Sequence, residues 1–411
     1  MNHLPVSIQA GDGSGSFGAY LALPASGSGP GLVLAQEIFG VNATMREVAD
    51  SYAEEGYVVL VPDLFWRQQP GIELGYTPED WQRAFGYYQG FDEAKGVADI
   101  QATLNVIRGL PQCTGPAGVL GFCLGGKLAY LAACRTDAQV CVAYYGVGIE
   151  KALDELDKVR GRLVMHVAQQ DKFCPPEAQA QIAAAVKGRA NVEHYVYAGQ
   201  DHAFARAGGE HFNKPSALMA HQRSLAALKS VIGPHYDLSA LWDKHCEYEF
   251  ATRDVAATMK TMVAEPYVNH VPTMTGGVGA KMLARFYQHH FVNSNPPDTS
   301  LVPISRTVGA TQVVDEMLFC FTHTTEVPWM LPGIAPTGKR VEIPLVAIVK
   351  FRGDKLYHEH IYWDQASVLV QIGLLDAGKL PVAGVETARK LLDEQSPSNT
   401  LMASWASSAP R

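Results

Sequence analysis

The chain has 411 residues, enough for more than one domain and a large core. Its net charge of −8 is spread along the sequence without a basic stripe, which excludes nucleic acid as a partner. No apolar run reaches the roughly eighteen residues of a membrane span, and the start, Met1-Asn-His-Leu-Pro-Val-Ser7, lacks a basic stretch followed by an apolar core. Neither membrane association nor secretion is therefore expected. Seven cysteines, an odd number without framework spacing, fit a reducing cytoplasm.

In the first half, apolar runs at 31–35, 57–61, 117–122, 141–146, 162–168 and 192–198 read as strands. Helical patterns at 43–55, 92–109, 125–134, 176–187 and 215–231 alternate with them. This alternation predicts an α/β fold: a mostly parallel, doubly wound sheet with right-handed crossovers. Loop 64–80, with Arg67, Pro70, Gly71, Gly75 and Pro78, is polar and long enough to cover a cleft mouth.

Glu37 follows the first of these runs and should emerge at the carboxyl edge of the sheet. The run Ala117-Gly118-Val119-Leu120 leads into Gly121-Phe122-Cys123-Leu124-Gly125-Gly126 and then a helical pattern from Lys127. This is the layout of a nucleophile elbow, with cysteine where serine usually stands. A tight strand-to-helix turn needs glycine at 121, 125 and 126 for close backbone approach. It also places backbone N–H groups and a helix N-terminus beside the sulfur. Taken alone, the motif is equally a buried structural cysteine in a glycine-rich turn. Its partners decide between the two.

Asp171 lies just past run 162–168, and His202 follows run 192–198 in Gly199-Gln-Asp-His202. Nucleophile, acid and histidine thus follow in α/β-hydrolase order, each after a strand. The chemistry needs a base beside the sulfur and a carboxylate that fixes the imidazole tautomer. Asp171 is preferred to Asp201, which is the chain neighbour of His202 and would point elsewhere. Cys174 is placed near the cleft, while Cys113, Cys134, Cys141, Cys246 and Cys320 are read as packing residues.

Residues 1–232 resemble the dienelactone hydrolase (carboxymethylenebutenolidase) family. Besides the cysteine turn, the matching stretches are Ala35-Gln-Glu-Ile-Phe-Gly-Val-Asn42, Pro62-Asp-Leu64, Tyr144-Tyr-Gly-Val-Gly148 and His202-Ala-Phe-Ala-Arg206. The resemblance implies Cys123 as nucleophile, His202 as base, Asp171 as its orienting acid, and Glu37 as an acceptor of the thiol proton when substrate arrives. It implies an oxyanion hole from the N–H groups of Leu124 and Ile38, and Arg206 as the grip on a substrate carboxylate. A structural Glu37–Arg206 ion pair is the alternative for that couple. The sequence departs from the family at Ala203, where a hydroxyl-bearing residue is usual. Its second substrate-binding arginine has Arg83 as the nearest match, in a shifted register that offers Trp81 or Gln82 to the same place. The expected partner is a small carboxylate-bearing lactone or ester, with no cofactor and no metal.

The first domain is expected to span 1–234, ending where the last helix meets Gly233-Pro234. Helical spacing then runs from Leu238 to Met262 and from Lys281 to Phe291. Strand-like runs follow at Leu301–Ala310, Gln312–Thr325, Arg340–Phe351 and Lys355–Trp363. This order predicts an α+β second domain over 238–390 with antiparallel strands. Tyr267-Val-Asn-His270, Gly276-Gly277, Phe286-Tyr287, Val314-Asp-Glu316 and Leu356-Tyr-His-Glu-His-Ile-Tyr-Trp-Asp364 are similar to the SnoaL-like branch of the NTF2-like superfamily. The likeness implies a curved sheet wrapping a helix into a cone, and a homodimer formed through this domain. His270, Glu316, His323, Glu359 and Asp364 are its polar residues of interest. Strand alternation predicts His358, His360 and Asp364 on one interior face with His270, as a possible second site, and Glu359 on the other. The tail from 395 lacks apolar periodicity and is expected to be loose.

Overall fold

Gly29–Ala35 (β3) is apolar and buried at every position, as expected of a strand covered on both faces. A computed structural model describes residues 6–408, so the readings of Met1–Pro5 and of the tail beyond Ser408 lie outside it. The chain divides into two units, Met1–His235 and Tyr236–Arg411.

The first unit is built on an eight-stranded sheet. Val6–Gln9 (β1) and Ser16–Ala22 (β2) form an antiparallel hairpin, and β2 pairs antiparallel with Val58–Pro62 (β4). From β4 the order runs β3, Cys113–Phe122 (β5), Val140–Tyr144 (β6), Arg162–Ala168 (β7) and Val192–Tyr197 (β8), all parallel. Val33, Val119 and Met165 pack into one apolar layer, and Leu34, Leu120 and Val164 into the other. The period-two alternation therefore feeds two cores. The hairpin was not read from the sequence, because Gly11, Gly13, Gly15 and Gly18 break up its apolar pattern.

Helices Ala43–Glu54 (α1), Glu93–Gly109 (α3), Leu124–Arg135 (α4), Pro176–Val186 (α5) and Lys214–Ile232 (α6) fall on predicted helical stretches. Pro78–Gln89 (α2) was not anticipated. It starts where Thr77 accepts a hydrogen bond from the Asp80 N–H and Pro78 opens the first turn.

A buried histidine in this unit makes stability pH-dependent. His166 on β7 is sealed from solvent, with Nδ1 2.9 Å from the Tyr197 hydroxyl and Nε2 2.9 Å from the Ser224 hydroxyl. Burial, reinforced by the charges of Arg223 and His221, pushes its pKa down to about 3. The folded state thus refuses a proton that the unfolded chain takes near pH 6.5, so this contribution is complete above pH 6.5 and is lost as pH falls toward 3. Between pH 7.5 and 5.0 the loss should be about 2 kcal/mol. Urea titrations at the two pH values should give a smaller difference for His166→Gln than for the parent protein. Equal differences would refute the assignment.

The second unit carries a six-stranded sheet in the order β10-β9-β14-β13-β12-β11. These are Met262–His270 (β9), Thr275–Val278 (β10), Ser300–Val308 (β11), Gln312–Thr322 (β12), Arg340–Arg352 (β13) and Lys355–Trp363 (β14). All neighbours are antiparallel except β14 and β9, which run parallel. β9 and β10 are not among the predicted strands, because Pro266 and the glycines Gly276, Gly277 and Gly279 break up their apolar pattern. Leu238–Cys246 (α7), Val255–Lys260 (α8) and Ala280–Phe286 (α9) supply the helical side of the unit. Trp242, Leu283, Phe319, Trp329 and Val349 belong to its core. Residues 395–408 are exposed apart from half-buried Ser396. Among the described residues, no helix is long and apolar enough to cross a membrane.

Candidate active site

The carboxyl ends of β3, β5, β7 and β8 carry the residues singled out in the first unit. Cys123 stands between β5 and α4 at φ 56°, ψ −115°, a conformation rarely adopted by residues other than glycine. Neighbouring glycines make the turn possible. A Cβ on Gly125 would lie 2.2 Å from the Ala35 carbonyl oxygen, and one on Gly126 would lie 2.3 Å from that of Tyr144. The half-exposed sulfur-bearing residue is thereby pressed against the ends of β3 and β6. Leu124 opens α4, so its N–H has no acceptor within the helix. Ile38 lies three residues past the end of β3 and is buried.

His202 is buried, and its Nδ1 lies 2.7 Å from Asp171 Oδ2. The other Asp171 oxygen accepts the Phe173 N–H at 2.8 Å, which fixes the carboxylate plane. Asp201 instead accepts the His202 backbone N–H. Burial works to lower the His202 pKa, but Cys123 and the hydrogen-bonded Asp171 outweigh it and push it up to about 10. Tyr145 and Phe173 flank the imidazole edge-on, with ring centroids 5.0 and 4.9 Å away. An imidazole, the carboxylate bonded to it and a thiol therefore converge on one edge of the sheet.

Glu37 is buried and pairs with Arg206, Oε2 to Nη1 at 3.2 Å. The guanidinium also stacks over the Tyr76 ring at 4.3 Å, and its Nε, although buried, makes no hydrogen bond. Arg83 does not join this group. It is exposed on α2 and, among the described residues, its ion pair is with Asp80, at 3.9 Å. The α2 register turns Trp81 inward instead, edge-on to Phe39 at 4.9 Å. Cys174 lies in the core rather than at an open cleft wall, and burial together with the Asp171 charge raises its thiol to about 12. Tyr76, Tyr145 and Phe173 were missed as site residues. Tyr76 sits in the loop expected over the cleft, but nothing in its sequence context aims it at Arg206.

In the second unit, the predicted faces of β14 are reversed. Glu359 and Ile361 line an internal cavity of about 30 Å³ together with His270, whereas His358 and His360 stack on each other 4.6 Å apart on the opposite face. Asp364 caps Gln365–Gln371 (α10), accepting from the N–H groups of Ala366 and Ser367. The cause is a register shift between Leu356 and His358, which puts Leu356 and Glu359 on one face despite their odd spacing. Glu316 bonds Ser305, while His323 is held by Thr337.

A mostly parallel sheet with a cysteine on a strained strand-to-helix turn, and an acid and a histidine after later strands, defines an α/β-hydrolase. Residues 17–232 match the Dienelactone hydrolase family, and residues 242–359 match the SnoaL-like domain. A protein of Azospirillum brasilense, provisionally named carboxymethylenebutenolidase, is 44% identical over 238 residues, covering 56% of this chain and 99% of its own length. The carboxymethylenebutenolidase of Pseudomonas sp. strain P51 is 43% identical over 226 residues, covering 54% of this chain and 94% of its own. A crystal structure of a provisionally named dienelactone hydrolase from Klebsiella pneumoniae aligns at 23% identity and a TM-score of 0.49, over 55% of this chain and 98% of its own. The chain belongs to the dienelactone hydrolase family, as a hydrolase of esters and lactones, and carries a SnoaL-like domain after it.

Proposed function

We propose that the first unit hydrolyses a carboxylate-bearing lactone through a thioester on Cys123. The observation that carries this reading is the His202–Asp171 bond of 2.7 Å beside the Cys123 turn. Asp171 holds the Nδ1 proton, so Nε2 is the atom available to give a proton to the leaving oxygen and to take one from water. The thiolate attacks the lactone carbonyl, and the developing oxyanion is held by the N–H groups of Leu124 and Ile38. The ring C–O bond then breaks, and the leaving enolate oxygen takes a proton from His202. Water next attacks the thioester while His202 accepts its proton, and the C–S bond breaks to return the thiol and the acid product.

Arg206 is the docking point for the substrate carboxylate. Its present partner, Glu37, is buried, and a buried carboxylate that loses its cation gains strongly by taking a proton. A substrate that captures Arg206 thereby frees Glu37 to take the Cys123 proton, which it returns to the sulfur when the C–S bond breaks. The proton given to the enolate is the one that the raised pKa of His202 keeps on its ring. The resting thiol is spared needless oxidation until substrate is present.

Arg206→Met tests this assignment. For a dienelactone bearing a carboxylate, kcat/KM should fall by about 10- to 100-fold, mostly through KM, in line with the loss of a charged hydrogen bond. For a neutral nitrophenyl ester the change should stay within a few fold, and the double variant Glu37→Gln/Arg206→Met controls for the stranded carboxylate. Equal losses on both substrates would exclude Arg206 as the carboxylate grip.

A further inference from the structure

The second unit holds a buried cluster with no part in the hydrolysis described above. His245 and Glu249 stand one helical turn apart, and Glu359 reaches them from β14, with the candidate ligand atoms all within 4.8 Å of one another. The Thr261 hydroxyl donates to the Thr258 carbonyl at 2.6 Å, so its oxygen accepts the His245 Nδ1–H, also at 2.6 Å. That arrangement fixes the ring and points Nε2 at carboxylate oxygens of Glu249 at 3.1 Å and Glu359 at 3.2 Å. One N–H can lie in line with only one of the two acids, and the Glu359 oxygen is left without a hydrogen bond. Two carboxylates on one imidazole, each no more than 4% exposed, are short of positive charge.

Independent atoms converge on the same place. The Tyr287 hydroxyl is turned toward Glu249, and His270 Nδ1, on a residue 2% exposed, makes no hydrogen bond. Both residues line the cavity of about 30 Å³ that Glu249 and Glu359 also face. A space of that size holds one or two waters.

We propose that His245, Glu249 and Glu359 form a binding site for a divalent first-row cation, with Zn²⁺ the best match. Two carboxylates and a neutral imidazole cancel the charge of the ion, and one nitrogen with two oxygens is a donor set that zinc accepts. Separations of 3.1 and 3.2 Å from His245 Nε2 lie near the roughly 3.3 Å edge of a tetrahedron with bonds of about 2.0 Å, while the third, between the two carboxylates, lies within 4.8 Å. Thr261 acts as the outer partner that orients the histidine. The cavity leaves the fourth position to a water, within the surroundings of His270 and Tyr287.

The full chain, stripped with a chelator and then given Zn²⁺, should retain about one ion per chain after desalting. Co²⁺ in its place should give the strong visible bands of a four-coordinate site. Glu359→Gln and Glu249→Gln keep the side-chain shape, and each should weaken Zn²⁺ binding at least tenfold with the circular dichroism spectrum unchanged. A folded parent protein that retains no zinc overturns the proposal. So does retention undiminished in both variants, which would place the ion on other histidines.

Discussion

Cys123→Ala is expected to lower turnover of a dienelactone by at least about four orders of magnitude while the protein remains folded. The size follows from the site's construction. On the proposed mechanism, removing the sulfur leaves His202 and Asp171 with no nucleophile to serve, and the Leu124 and Ile38 N–H groups with only direct attack by water to stabilise. Little structural cost should accompany the change, because Cys123 is half-exposed and its own side chain caps nothing in α4. The alanine does inherit a positive φ, a strain of about 1 kcal/mol that cysteine already carries. Steady-state rates on dienelactones, simple lactones and nitrophenyl esters would measure the effect. Intact-mass spectrometry of the parent protein with a slow ester should catch one added acyl group, absent from the variant. A variant that still turns over dienelactone at the parent rate would remove Cys123 from the mechanism.

A large stability effect is expected at Gly125. A methyl group there would come within 2.2 Å of the Ala35 oxygen and 2.6 Å of the Gln36 oxygen, both backbone atoms. Neither can retreat without dragging Glu37 and Ile38 along. Gly125→Ala should therefore cost about 3 kcal/mol or more, at the upper end of overpacking penalties, and should also lose activity through the displaced β3 end. Gly86→Ala is the matched control. It lies within α2 with nothing inside 4 Å of the added carbon, and it should be neutral or stabilising by up to about 1 kcal/mol. Urea midpoints that shift equally for the two variants would contradict this account of the turn.

The first unit was legible because its site follows rules that act locally along the chain. Parallel strands buried on both faces write continuous apolar runs, and each chemical group stands just after one of them. The cysteine turn needs its glycines for reasons of contact distance alone. Residues brought in by side-chain direction were not legible: Tyr76 over Arg206, and Tyr145 and Phe173 around His202. Alternation on β14 misled for a definite reason. A period of two predicts faces only while the register is unbroken, and the shift after Leu356 exchanges His358 and His360 for Glu359. The metal-site residues carried one local sign, the His245 and Glu249 spacing of one helical turn. Their third member comes from the far end of the unit.

Glu37 and Arg206 are separated by 169 positions in sequence, and the strands between them supply every other group of the site. Such non-local closure is slow, because loop entropy is spent before the contacts that reward it exist. Partly formed versions of this sheet therefore lack a working centre, whatever secondary structure they already contain. After dilution from denaturant, returning catalysis would mark the moment when the sheet from β3 to β8 is complete, while far-ultraviolet dichroism would rise earlier. The enzyme thus carries its own clock for the last step of folding.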